Sequence, residues 1–344
     1  MANLSRLCLA VVFSLAASIG LAQQPQDRVQ AQQQRQVTQP GNNAPVWRDV
    51  RKEGEEHFTT VKGREAGVLV QSAGETWRQI RNGPVTFYGG WLVVLIVLAI
   101  LAFYFWKGPV KVHERPTGRL IHRFSTVEQV VHWSTAISFC VLGLSGLIML
   151  FGKHVLLPVF GYTLFGWLAA LSKNLHNFVA PFFIVAVLAM VLLFIKDNFP
   201  RAYDFRWLGR AWGVMARGEH VPTGRFNAGE KGWFWFGVVG LSIVVSWTGV
   251  ILLFPNFDQT RALMQQAWIW HAVAAVLYIA MSLGHIYLGT LGVEGAYQAM
   301  RTGYVDEVWA KEHHPIWLDE VKSGGAAHAG GAVPAGAPHM REKT

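Results

Sequence analysis

Five apolar runs dominate this sequence, at about residues 87–106, 130–151, 175–195, 233–253 and 266–290. Each is close to the roughly 20 residues that carry a helix across the hydrocarbon core of a bilayer. Backbone groups in lipid must find partners within the spanning structure, so only helices or a closed barrel can cross. These runs are continuous and lack the strict alternation of barrel strands. The expected fold is therefore all-α, an integral membrane helical bundle. Composition agrees: 15% of residues are charged, against about a quarter in a soluble domain. A net charge of +9 could suit nucleic acid, but the basic residues lie between apolar runs rather than on one soluble face. That is the membrane pattern, and no nucleic-acid partner is expected.

The first 22 residues read as a signal peptide, with an uncleaved anchor helix as the rival reading: Arg6, an apolar stretch from Leu7 to Leu21 that is short for a span, and small residues at Gly20 and Ala22. Residues 23–85 form an external extension, of which 23–43 is Gln-rich and reads as disordered. The loops set orientation. Residues 107–125 and 196–232 are rich in Lys and Arg, whereas the other two loops hold only Lys153, Lys173 and Arg261. The positive-inside bias puts the basic loops and the C-terminus in the cytoplasm. The signal peptide independently requires the extension to be outside. Residues 321–344 are Gly- and Ala-rich and read as a disordered cytoplasmic tail. Cys8 lies in the leader, so Cys140 alone remains in the mature chain. This excludes an internal disulfide and a four-cysteine cluster, and no Cys-x-x-Cys-His occurs for covalent haem.

Four histidines, His132, His176, His271 and His285, lie within apolar runs. An ionisable side chain at membrane depth is costly and points to function, although any one of them could simply hydrogen-bond between helices. Their depths argue otherwise. His271 and His285 are 14 residues apart on one helix, roughly 21 Å along its axis and close to four full turns. Both imidazoles therefore face one side at two depths. The run at 130–151 enters from the cytoplasm and that at 175–195 from outside, so depth pairs His132 with His285 and His176 with His271. Two level pairs of imidazoles suit two haem irons. Bis-histidine ligation fills the iron's coordination, which suits electron transfer rather than oxygen chemistry. Gly143 and Gly146 follow His132 by 11 and 14 positions, on nearly its helix face. Gly146 could let a porphyrin approach at the outer depth, or could serve close helix packing. His57, His113, His122, His220, His313 and His314 lie in or beside polar segments and read as solvated; His154 has no assignment.

The ligand segments Glu128–Trp133, Asn174–Phe178, Trp270–Ala272 and Gly284–Tyr287, with Arg225–Lys231 and Trp309–Pro315, resemble the gamma (cytochrome b556) subunit of membrane-bound formate dehydrogenase. The likeness runs over about residues 120–320, and the segment before it, with one added helix near 86–107, goes beyond the four-helix form. The resemblance implies a four-helix di-haem cytochrome b core in a bacterial inner membrane, with the extension periplasmic. It implies an iron–sulfur beta subunit and a molybdenum or tungsten alpha subunit as partners, the latter oxidising formate. Electrons then pass through two b-type haems to a quinone, menaquinone or ubiquinone, near the cytoplasmic face. Asn227 is carried over as a quinone contact. Glu230 stands where the family often has Gln, and reads as a proton relay or a solvated charge. Two other readings remain open on the residues alone. The same plan serves other quinone-linked dehydrogenases, such as nickel–iron hydrogenase or thiosulfate reductase. A non-catalytic membrane anchor could also carry packed histidines.

Overall fold

A computed structural model of the chain describes residues 73–324. The expected signal peptide, the Gln-rich linker, the extension up to residue 72 and the tail beyond 324 lie outside these residues. Among the described residues, five helices are long and apolar enough to cross a membrane: α1 (Gly74–Lys107), α2 (Thr126–Val155), α3 (Leu157–Asn198), α5 (Ala228–Leu253) and α6 (Arg261–Gly292). Between α3 and α5 lies the short α4 (Ala202–Gly209). After α6 come α7 (Ala296–Thr302), α8 (Glu307–His313) and α9 (Pro315–Lys322).

Two helices start well before their apolar runs. α1 begins at Gly74 because Glu75 and Arg78 pair one turn apart and extend a polar helical lead. Pro84 sits there within a π turn, Arg81–Val85, which absorbs its missing donor. α3 begins at Leu157, where a loop is expected from the sequence, and breaks its helical dihedrals at Gly161, whose φ is +69°. Only glycine enters that region freely.

The described chain forms two compact units. One is Leu144–Asn177, the second half of α2 and the first half of α3. There Gly152 leaves space for the Phe165 ring, which a Cβ would meet at 2.7 Å.

The second unit holds the rest. α1 lies along α6, with Phe103 and Tyr104 edge-on to Tyr287 and Trp77 edge-on to Trp268. Its core runs from Phe183, Val187 and Met190 of α3 through Phe234 and Val238 of α5 to Tyr278 of α6. A small cap closes one end. Strand β1 (Leu120–His122) pairs antiparallel with β2 (Tyr304–Asp306), Ile121 opposite Val305. The Asp306 carboxylate accepts from the amides of Thr117, Gly118 and Val308, so it caps α8 and fixes the turn before β1 together. Trp309, Trp317 and Leu318 are buried in this cap. Outside lipid, burying each such side chain contributes on the order of 1.5–3 kcal/mol. Within lipid that drive is absent, and helices hold by close contact and polar pairs.

Candidate functional site

His132 of α2 and His285 of α6 meet in the second unit. Their ring centroids lie 6.3 Å apart with planes at 58°. Two imidazoles on opposite sides of one metal ion, each nitrogen about 2 Å away, place their ring centres roughly 6 Å apart. The pair therefore has the spacing to hold a single iron. Around it are aromatic rings: Trp233 stacks on His285 at 5.0 Å and 15°, and Trp133 stands edge-on to His132. The Trp133 indole donates to the Met300 carbonyl at 3.3 Å, which ties this end of α2 to α7. His132 Nδ1 is buried without a hydrogen-bond partner. An interhelical hydrogen bond through that nitrogen therefore does not account for an imidazole at this depth.

The other two histidines share a local design, each within its own unit. In the first unit, Ser145 Oγ lies 2.9 Å from His176 Nδ1, and a Cβ on Gly146 would stand 3.5 Å from His176 Cε1. In the second unit, Thr248 Oγ1 lies 3.1 Å from His271 Nδ1, and a Cβ on Gly249 would stand 3.3 Å from His271 Cε1. A hydroxyl–glycine dipeptide thus faces each ring. The Thr248 hydroxyl donates to the Val244 carbonyl at 2.6 Å, so toward His271 it accepts. That puts the proton on His271 Nδ1 and makes Nε2 the lone-pair nitrogen, the state a metal ligand requires. Sequence reasoning singled out Gly146 but missed Ser145, Thr248 and Gly249. The repeated Ser-Gly and Thr-Gly dipeptides, buried in apolar runs, were the available signal.

Asn227 is first a helix cap. Its Oδ1 accepts from the Glu230 amide at 3.0 Å, and the Glu230 carboxylate accepts from the Asn227 amide at 2.7 Å. This reciprocal box uses the Asn227 backbone N–H and Oδ1 to start α5, and it leaves the side-chain Nδ2 as the group able to donate outward. Glu230 is more than a solvated charge, since its carboxylate also lies 3.6 Å from Arg123 Nη2. Arg123 is 4% exposed, and its guanidinium lies over the rings of Phe124, Phe226, Trp309 and Trp317. Burial pushes its pKa down to about 10, which leaves it charged at neutral pH. Arg123 and Arg225 each donate to the other's carbonyl, and Arg225 also binds Glu128 and Asp197.

His313 and His314 depart from the solvated reading. His314 is 2% exposed, with Nδ1 2.8 Å from the Gly224 carbonyl and 3.2 Å from Thr223 Oγ1. His313 stacks on Trp309 at 4.7 Å. The α8–α9 turn folds back over residues 223–224 and buries His314, with His313 half-buried beside it, a consequence of long-range packing.

The family described as Prokaryotic cytochrome b561 matches residues 123–303. The chain is 31% identical over 209 residues to the cytochrome b556 subunit of the nitrate-inducible formate dehydrogenase of Escherichia coli (strain K12), covering 59% of this chain and 93% of that protein. It is 31% identical over 210 residues, with the same coverage, to a second formate dehydrogenase cytochrome b556 subunit of that organism. The corresponding subunit of Haemophilus influenzae is 26% identical over 211 residues, 58% of this chain and 83% of that protein.

Proposed function

The chain belongs to the prokaryotic cytochrome b561 family, among its formate dehydrogenase cytochrome b556 subunits, and from that premise we propose that it is a di-haem electron conduit ending at a quinone site. It is a multi-pass inner-membrane protein, and its family binds b-type haem. His132 and His285 hold the cytoplasmic-side haem, and the 6.3 Å spacing of their rings is the observation that carries the reading. His176 and His271 hold the outer-side haem; this pairing rests on the depth argument from the sequence. Bound haem supplies one-electron transfer, here from a periplasmic iron–sulfur subunit, fed by a formate-oxidising subunit, to a menaquinone or ubiquinone near the cytoplasm. Thr248 and Ser145 orient their imidazoles for ligation, while Gly249 and Gly146 keep the space beside each ring open. At the 225–231 loop the side-chain Nδ2 of Asn227 donates to a quinone carbonyl. Glu230, balanced by the Arg123 charge, is positioned to pass a proton to the reduced ring. The formate chemistry lies on another subunit.

Purified complex, analysed by pyridine haemochrome, should hold two b haems per copy of this chain, both reducible by formate. One haem or none sinks the reading. Haems reduced by hydrogen and not by formate would move the chain to a different dehydrogenase.

A further inference from the structure

We propose that His113, His220 and Glu312 form a binding site for one first-row divalent cation, of which zinc is the best-suited probe. The three residues come from separate parts of the second unit: the loop after α1, the loop before α5, and α8. One ligand atom from each lies within 4.8 Å of the others. His113 Nδ1 is 3.2 Å and His220 Nε2 3.9 Å from Glu312 Oε2. Ligands bound to zinc at about 2.0–2.1 Å in a tetrahedron stand roughly 3.3 Å apart. The first spacing already fits. The second closes by a small movement of His220, whose side chain is 49% exposed.

Hydrogen bonding around the three groups suits a cation. His220 Nδ1 lies 3.0 Å from the Glu312 carbonyl, which can only accept. The proton is therefore on Nδ1, and in the neutral ring Nε2 aims a lone pair at the carboxylate. Two acceptors facing each other at that distance repel unless a positive charge lies between them. The Glu312 carboxylate is itself fixed, since it accepts from the amides of His113 and Glu114 at 3.0–3.1 Å. Such outer contacts orient a ligand before the metal arrives. Gly218, at φ +71°, passes close to the His113 ring, and a Cβ there would stand 3.9 Å from its Cε1. The neighbouring Lys311 is neutralised by Glu114 at 2.9 Å.

Two imidazoles and one carboxylate favour zinc, and also nickel, cobalt or ferrous iron, over calcium or magnesium. The three residues face an open depression of about 430 Å³ also lined by Glu114, Gly218 and Lys311, which leaves room for water to complete the coordination. None lies in a spanning helix. A bound ion would join the loop that follows α1 to the cap whose Trp309 and Trp317 lie against Arg123.

The test uses the intact purified complex, washed with EDTA, which leaves haem in place, then dialysed against zinc. Wild type should take up one zinc per chain that the double variant His113→Gln/His220→Gln does not, and zinc should raise thermal stability in the wild type alone. Loss of two imidazoles should weaken binding by more than about 100-fold, beyond the roughly 10- to 100-fold that outer-shell partners command. Equal uptake by wild type and variant would mean adventitious surface binding. Absence of saturable uptake by the wild type would mean that protons alone supply the positive charge. Either result overturns the site. If the double variant does not fold, His220→Gln alone answers the question, because that side chain is half exposed.

Discussion

Thr248 Oγ1 lies 3.1 Å from His271 Nδ1, while the Thr248 hydroxyl donates to the Val244 carbonyl at 2.6 Å. The threonine therefore accepts, and it fixes the imidazole as the tautomer whose Nε2 can bind iron. Its removal weakens the ligand without touching the metal.

Thr248→Val should keep the fold but loosen haem retention, roughly 10- to 100-fold in affinity for an outer-shell contact. A hydrogen-bond acceptor on Nδ1 makes the imidazole more basic, so its loss should also raise the potential of one haem. Redox titration of the purified complex measures this. Ser145→Ala should act on the same haem in the same direction. An unmoved potential in both variants would show that the hydroxyls serve packing only.

Gly249→Leu should cost one haem, because even a Cβ would stand 3.3 Å from His271 Cε1 and the larger side chain must displace the ring. Gly146→Leu should do the same beside His176. Gly143→Ala is the control: its Cβ would meet only Ile279, at an ordinary 3.7 Å, so both haems should remain. Haemochrome analysis gives the count.

His132→Ala and His285→Ala should each leave one haem that formate still reduces, since the proposed flow begins at the other pair. His271→Ala should instead block reduction of the remaining haem by formate. Stopped-flow spectra of the folded variants decide the order. Normal haem reduction in His271→Ala would reverse or abolish it.

Two variants separate the roles of Asn227. Asn227→Ala loses the cap, at about 0.5–2 kcal/mol, together with the amide donor. Asn227→Asp keeps the capping oxygen, loses the donor and adds a negative charge at the helix N-terminus, where it is tolerated. Both should raise the KM for quinone, by roughly 2- to 13-fold for one hydrogen bond, but only the alanine variant should also lower thermal stability. If the aspartate variant shows wild-type quinone kinetics, Asn227 is a cap and nothing more.

The cap should weaken in acid. Burial, and then the nearby Arg123 charge, hold the His314 pKa well below its ordinary 6.5. The folded state then keeps His314 neutral, while the unfolded chain takes up a proton as pH falls through about 6.5. Its contribution is fully present above that pH and is lost below it, at up to about 1.4 kcal/mol per pH unit. The protection factors of Ala310 and Trp317 against hydrogen exchange, taken relative to intrinsic rates, should fall from pH 7.5 to 5. Protection that rises on acidification would contradict the assignment.

The sequence by itself determined the long apolar helices and the spacing of His271 and His285 along one of them. The reason is local: long apolar runs leave the backbone in lipid no alternative to helix, and a fixed rise of 1.5 Å per residue converts sequence spacing into distance along the axis. Where the helices begin was only partly legible, because the polar lead of α1 from Gly74 and the break at Gly161 depend on side-chain pairing and a single φ angle. What lies against each histidine was decided by tertiary structure. Ser145 reaches His176 across 31 residues and Thr248 reaches His271 across 23, through side chains that read in sequence as ordinary helix packing. Longer separations were less legible still. His113 meets Glu312 from 199 residues away, and Gly224 meets His314 from 90, through loops whose composition suggests only solvent exposure. Helical periodicity carries information along one element and says nothing about which loops the packed bundle brings together. The cap, its buried Arg123 and His314, and the His113–His220–Glu312 cluster therefore exist only in three dimensions.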